Sequence, residues 1–211
     1  MAYRTQPTVG DTLSGYRIDA FVGSGGMGEV YRAFDSRLNR NVALKLLAPR
    51  LADDEGFRRR FLRESLLAAS LDHPNAIPVY EAGEADGLLF IAMRFVEGTD
   101  LRQLLDDERV LEPKRALALL APVAGALDTA HAKGLVHRDV KPANILVASE
   151  PAADPPEHVY LSDFGLTTLS SDPGGGPFSG TADYAAPELV TGGPIDAMSD
   201  TDASSVNPVM R

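Results

Sequence analysis

The sequence predicts an α+β fold in two parts, a first half of mostly antiparallel strand with one helix and a second half that is mainly helical. Three observations carry this. From Tyr16 the pattern is strand-like: YRIDAFVG alternates apolar and polar residues, meets glycines, and resumes as EVYRAFD. From Glu55 the spacing changes to helical, with Phe57, Phe61, Leu62 and Leu66 recurring along EGFRRRFLRESLLAASL. Beyond Pro113 a stretch rich in Ala and Leu runs to about Lys133. A chain of 211 residues is long enough for one large domain or two lobes.

The strands come first. YRIDAFVG and EVYRAFD flank a glycine turn and read as a hairpin, and NVALKLL supplies a third strand. Asp53 and Asp54 offer an N-cap to the helix that follows. Two more short strands are expected at Ile77–Glu81 and Leu88–Phe95, giving a five-stranded antiparallel sheet with one helix. In the second half, Pro113 suits the first turn of a helix and Pro122 should bend it. Short strands are expected at Ile145–Ala148 and His158–Ser162, joined by the Pro-rich surface loop SEPAADPPE. Gly174 to Pro177 read as flexible, and residues 1–14 as a loose, polar N-terminus.

Composition removes several classes of function. There is no Cys, so disulfides and thiolate metal sites are excluded, and a reducing compartment fits. No run of eighteen apolar residues is present to span a membrane, and MAYRTQPTVGDTLSG lacks the apolar core of a signal peptide. The formal net charge of −10 disfavours nucleic acid or anionic lipid as the main partner. A local phosphate site remains compatible with it.

Four stretches carry chemistry. GSGGMG at 23–28 gives G-x-G-x-x-G on a strand hairpin, where backbone N–H groups can approach phosphates closely. A dinucleotide fold would need those glycines between a strand and a helix. Lys45 lies in the apolar strand VALKLL, where a buried ammonium needs a partner, and Glu64 on the following helix offers one. HRDVKPAN at 137–144 is the most specific stretch. Asp139 can accept the proton of an attacking hydroxyl, Lys141 can neutralise a transferring phosphoryl group, and Asn144 offers a carbonyl oxygen to a hard cation such as Mg2+. SDFGL at 162–166 supplies Asp163 as a second cation ligand just after a strand.

Taken in order, GSGGMGEV, VALK, Glu64, HRDVKPAN, DFG and AAPE resemble the signature set of eukaryotic-like (Hanks-type) protein kinases. GSGGMGEVYRA, LDHPNAIPVYE and LVHRDVKPANILV bring it nearest to bacterial serine/threonine kinases, over about Tyr16 to Asp200. The resemblance implies a two-lobed kinase-like fold, with an N-lobe at 15–97, a partial C-lobe at 98–200 and a non-family tail at 201–211. It also implies transfer of the ATP γ-phosphoryl group to Ser or Thr hydroxyls of proteins.

By the same resemblance, Gly23, Ser24, Gly25 and Gly28 cover the ATP phosphates, and Val30 and Ala43 roof the adenine while Leu146 floors it. Met93 lies at the back of that pocket, and Arg94, Phe95 and Val96 form the hinge. Lys45 holds the α- and β-phosphates and pairs with Glu64, Asp139 is the catalytic base, and Asn144 and Asp163 bind Mg2+. Lys141 favours a Ser/Thr acceptor over Tyr, and Thr181 braces Lys141 and Asp139. Arg138 implies control by activation-loop phosphorylation, for which Thr167, Thr168, Ser170, Ser171 and Ser179 are candidates. Autophosphorylation and a kinase dimer stay open as partner modes.

The resemblance stops at Thr201. Ser199 and Asp200 match the start of a long buried helix that anchors the catalytic loop, but TDASSVNPVMR has no apolar helical face and contains Pro208. The expectation is a catalytic domain truncated within its C-lobe, by deletion or a shifted reading frame. Glu188 would then lose its arginine partner, and the Pro113–Lys133 helix would expose an apolar patch. Two alternatives to an active kinase follow: a catalytically weak or inactive ATP-binding or interaction module, and a remnant that aggregates. The default location is the cytoplasm.

Overall fold

In the computed structural model of the chain, residues 6–149, 157–164 and 199–200 are described. Two compact units emerge, one formed by Met1–Ala69 with Pro78–Phe95 and the other by Ser70–Ile77 with Val96–Arg211. Expectations that fall on Gly165, the 167–181 phosphorylation and bracing residues, the 174–177 glycines, Glu188 and the 201–211 tail lie outside the described residues.

The first unit is an antiparallel sheet of six strands in the order β1-β2-β3-β4-β6-β5. These are β1 (Thr12–Leu13), β2 (Tyr16–Gly25), β3 (Gly28–Asp35), β4 (Arg40–Leu47), β5 (Val79–Ala85) and β6 (Leu88–Arg94). The five expected strands are present, and β1 adds a two-residue edge. Leu13 explains that extra edge: it is buried in the core with Tyr16, Ile18, Tyr31, Leu44 and Phe90. The end of the segment expected to be loose is therefore fixed, and Gly10 N–H donates to the Ile18 carbonyl at 2.9 Å.

Two helices follow β4. The four-residue α1 (Pro49–Ala52) was not expected, and α2 (Glu55–Ala69) was. Asp54 caps α2, its Oδ1 accepting from the N–H groups of Gly56 and Phe57 at 2.7 and 3.1 Å. The inward face of α2 is Phe57, Phe61, Glu64, Ser65 and Ala68. Leu62 and Leu66, which share the helical spacing, point outward and are 44% and 73% exposed. The helix thus turns a carboxylate inward and two leucines outward.

The second unit holds a three-stranded antiparallel sheet, β7 (Gly98–Asp100), β8 (Ile145–Ser149) and β9 (Glu157–Leu161), in the order β7-β8-β9. Two helices accompany it, α3 (Leu101–Glu108) and α4 (Pro113–Ala132), and α4 runs through Pro122. Asp100 Oδ1 caps α3 by accepting from Gln103 N–H at 2.9 Å. Residues 70–77 cluster with this unit for a visible reason. Asn75 Nδ2 donates to Val159 O at 2.9 Å, Ile77 N–H donates to Leu161 O at 2.9 Å, and Lys133 Nζ donates to Ser70 O. Among the described residues, no helix is long and apolar enough to cross a membrane.

Candidate active site

In the first unit, strand register gathers four of the expected residues. Val30 of β3 lies opposite Lys45 of β4, and Ala43, two residues earlier, lies opposite Met93 of β6. Opposed residues share a face of an antiparallel sheet, as do residues two apart in a strand. Val30, Ala43, Lys45 and Met93 therefore line one face. Lys45 is 8% exposed, and Glu64 on α2 is buried to the same degree. The Glu64 carboxylate accepts from Arg63 Nη2 at 3.2 Å. Phe95 follows directly after β6 and is half-buried.

The glycines of the β2–β3 hairpin divide into two kinds. At Gly28, φ is +150° and a Cβ would sit 1.9 Å from the Leu46 carbonyl oxygen, so the sheet itself requires glycine there. At Gly23 and Gly25 a Cβ would meet nothing within 4 Å. Packing among the described residues does not explain why those two positions lack side chains. Ser24, between them, pairs with Glu29 across the hairpin. Two contacts that the sequence did not reveal hold the hairpin tip: Ala48 N–H donates to Met27 O at 2.9 Å, and Arg50 Nη2 to Gly26 O at 2.8 Å.

In the second unit, HRDVKPAN folds into a knot of short bonds. Lys141 Nζ lies 2.8 Å from Asp139 Oδ2. Asn144, in the 3-10 turn Pro142–Asn144, donates from Nδ2 to Asp139 O at 2.7 Å and to its Oδ2 at 3.1 Å. The amide nitrogen is spent on Asp139, and the amide oxygen lies on the opposite side of the group. Both the N–H and the hydroxyl of Ser162 donate to the Asn144 carbonyl, at 2.9 and 3.1 Å, which fixes the position of Asp163 one residue later. Asp139, Lys141, Asn144 and the backbone leading to Asp163 are thus tied together. Leu146 is half-exposed between buried Ile145 and Val147 on β8. Val96 begins this unit's second segment and is half-buried.

The knot rests on two further groups, His137 inside the motif and Asp200 at the start of the helix expected to anchor it. His137 is fully buried. Its Nδ1 accepts from Asp139 N–H at 3.2 Å, so its Nε2 carries the proton donated to Ser162 O at 2.8 Å. Its ring packs 4.9 Å from that of Phe164, which is buried as expected. The second group is Asp200, 1% exposed, whose Oδ2 and Oδ1 accept from the N–H groups of His137 and Arg138 at 2.7 and 2.5 Å. Arg138 lies between these bonds in the left-handed region, at φ +66°, and Asp163 has φ +65°. A non-glycine residue held there costs about 1–3 kcal/mol and persists where its surroundings over-determine it. The backbone is unusual at the residue before the expected base and at the expected cation ligand.

Comparison with known proteins agrees with this arrangement. The family model of the protein kinase domain matches residues 16–206. The serine/threonine-protein kinase PknD of Mycobacterium tuberculosis is 44% identical over 197 residues, covering 92% of this chain and 29% of that protein. The serine/threonine-protein kinase pkn3 of Myxococcus xanthus is 41% identical over 211 residues, covering 96% of this chain and 38% of its own. This chain therefore spans well under half the length of those two relatives. Among solved structures, the Mycobacterium tuberculosis PknI kinase domain superposes with a TM-score of 0.75 at 39% identity, covering 92% of this chain and 73% of that one. A double mutant of the same domain gives 0.78 at 37% identity, with 97% and 79% covered. The hairpin glycines, the buried lysine on β4 and the knotted HRDVKPAN loop all lie within the matched residues, and the chain belongs to the protein kinase domain family.

Proposed function

We propose that this chain is a serine/threonine protein kinase that transfers the γ-phosphoryl group of ATP to a Ser or Thr hydroxyl of a protein. One observation carries the reading: the Asp139 carboxylate is held by Lys141 at 2.8 Å and by Asn144 at 3.1 Å, both on Oδ2. With Oδ2 so engaged, Oδ1 is the oxygen left to take an acceptor's proton. The acceptor oxygen attacks the γ-phosphorus as Asp139 accepts its proton, the bond from that phosphorus to the β–γ bridging oxygen breaks, and ADP leaves. Lys141, already at Asp139, donates to the phosphoryl oxygens as charge develops on them.

Unit one contributes the nucleotide-binding groups on this reading. Gly23, Ser24, Gly25 and Gly28 present N–H groups to the phosphates, Lys45 holds the α- and β-phosphates, and Glu64 orients Lys45. Val30, Ala43, Met93 and Phe95 are this unit's adenine-binding residues, and Val96 and Leu146 are those of the second unit. Asn144 and Asp163 fit Mg2+, because the Asn144 amide nitrogen is committed to Asp139 and its oxygen is a hard donor. Bound there, Mg2+ would offset charge on the transferring phosphates. Protein substrates follow from the family, autophosphorylation and a dimer are further modes, and the cytoplasm is the compartment that supplies ATP.

The test is phosphate incorporation into a generic acceptor protein by the purified chain with Mg-ATP, run beside Asp139→Asn. Incorporation that vanishes in the variant is expected. ATP-dependent thermal stabilisation without incorporation would make the chain a nucleotide-binding module instead.

A further inference from the structure

We propose that Arg50 is a positioning residue for the nucleotide phosphates, acting through the central peptide of the glycine hairpin's turn. The proposal rests on the nucleotide-binding reading above and adds to it a residue in none of the expected motifs. The hairpin turns in two residues, Gly26 and Met27, between the paired Gly25 and Gly28. A two-residue turn closes through its flanking residues, so the peptide between its two central residues is left out of the strand ladder. A Cβ at Gly26 would meet nothing within 4 Å, so packing against that residue does not hold the peptide either. Glycine on one side of it leaves it free to rotate.

Arg50 supplies the missing restraint. It lies in α1, just after β4, and its Nη2 donates to Gly26 O at 2.8 Å. Two residues earlier, Ala48 N–H donates to Met27 O at 2.9 Å. Both carbonyls of the turn are therefore held by one short segment, and Pro49 in the middle of it has a fixed φ. In a trans peptide the N–H points opposite to the C=O. Holding Gly26 O thus fixes the direction in which Met27 N–H is presented. Two effects of the bond then favour phosphate. A turn already ordered does not have to be ordered when the ligand arrives. A cation on the carbonyl polarises the whole peptide and makes its N–H a stronger donor. The side chain of Arg50 is exposed and makes this bond at the surface, so its effect belongs in phosphate affinity rather than in the stability of the sheet. Adenosine, which has no phosphate, should not sense it.

The experiment uses the full chain and two variants, Arg50→Met, which removes the donor and keeps an unbranched side chain, and Arg50→Lys, which restores a charged donor. Calorimetry gives the Kd for Mg-ATP and for adenosine, and 15N relaxation follows the Met27 amide. In Arg50→Met the Kd for Mg-ATP should rise about fivefold, the scale of one lost hydrogen bond. The Kd for adenosine should stay within about twofold and the Tm within about 2 °C. The Met27 order parameter should fall from about 0.85 to below about 0.6. Arg50→Lys should recover most of the lost affinity. The loss should also persist at about 0.5 M salt, where attraction between distant charges is screened. An unchanged or tighter Kd for Mg-ATP in Arg50→Met, an equal loss for adenosine, a loss that vanishes in salt, or a lysine variant as impaired as the methionine one would overturn the proposal. If the unmutated chain binds neither ligand, the nucleotide reading fails, while the Met27 relaxation still decides whether Arg50 holds the turn. If Arg50→Met does not fold, relaxation of the unmutated chain decides: an order parameter at Met27 equal to that of its β3 neighbours is expected, and one below about 0.6 overturns the restraint.

Discussion

Asn144 Nδ2 donates to both the main-chain oxygen and the Oδ2 of Asp139, at 2.7 and 3.1 Å. One side chain therefore sets the rotamer of the proposed base and presents its own oxygen to the proposed cation. Replacing it with alanine removes both functions at once. For Asn144→Ala we expect kcat to fall about a hundredfold or more. Stability should drop by about 1–3 kcal/mol, because buried Asn144 leaves the Asp139 carbonyl without its partner. Phosphotransfer kinetics and urea unfolding on the same preparation check the pair. A variant that keeps its kcat would remove Asn144 from the mechanism.

The hairpin glycines should separate cleanly under alanine substitution. Gly28→Ala drives a methyl to within 1.9 Å of the Leu46 carbonyl at φ +150°, and should destabilise the first unit by at least about 2 kcal/mol. Gly23→Ala and Gly25→Ala meet nothing within 4 Å, so their unfolding free energies should stay within about 0.5 kcal/mol of the unmutated chain. Their KM for ATP should nevertheless rise. If all three proteins lost stability equally, Gly23 and Gly25 would be structural and their link to phosphate would be lost.

The fold and the site were legible in the sequence to different depths. Long periodic segments such as β2, β3, β4 and α4 declared themselves, because a period of two or 3.6 repeated over eight or more residues leaves little ambiguity. The short elements did not. A two-residue β1 and a four-residue α1 carry too few positions to show a period, and both exist through contacts made elsewhere, Leu13 in the core and Ala48 N–H on Met27 O. Helix α3 did have a signal, the Asp100 cap ahead of LRQLL, which is weaker than the periodicity of its neighbours. In the site, Asp139, Lys141 and Asn144 lie within one short motif and meet locally. His131 and Asp200 meet across sixty-nine residues, and nothing local marks a lone helical histidine as the partner of a distant carboxylate.

Helix α2 offers the sharpest contrast between spacing and burial. Phe61 and Leu66 both fall on the apolar rhythm read from the sequence, yet Phe61 is fully buried and Leu66 is 73% exposed. Phe61→Ala should cost about 3–5 kcal/mol through lost burial and the cavity left behind. Leu66→Ala should change stability by no more than about 0.5 kcal/mol. Chemical denaturation of the two variants is the measurement. A large loss at Leu66 would mean that another surface covers the outward face of α2 in solution.

The last prediction concerns acid stability. Arg115 on α4 grips Glu157 at the start of β9 with two bonds, Nε to Oε2 at 3.0 Å and Nη2 to Oε1 at 2.7 Å. These bonds hold the Glu157 carboxyl below its ordinary value near 4.5, and partial burial opposes them without prevailing. A depressed folded-state value fixes the sign: the stabilisation is fully present above the ordinary carboxylate range and is lost as pH falls through the lowered value. Both side chains are about a quarter to a third exposed, which keeps the contribution to about 0.5–1.5 kcal/mol at neutral pH. Glu157→Gln should therefore be less stable than the unmutated chain at pH 7 and about equal to it near pH 3, so the two stability curves converge on acidification. Curves that run parallel from about pH 6 to 3 would mean that Glu157 titrates alike in the folded and unfolded states and that the Arg115 bonds do not persist in solution.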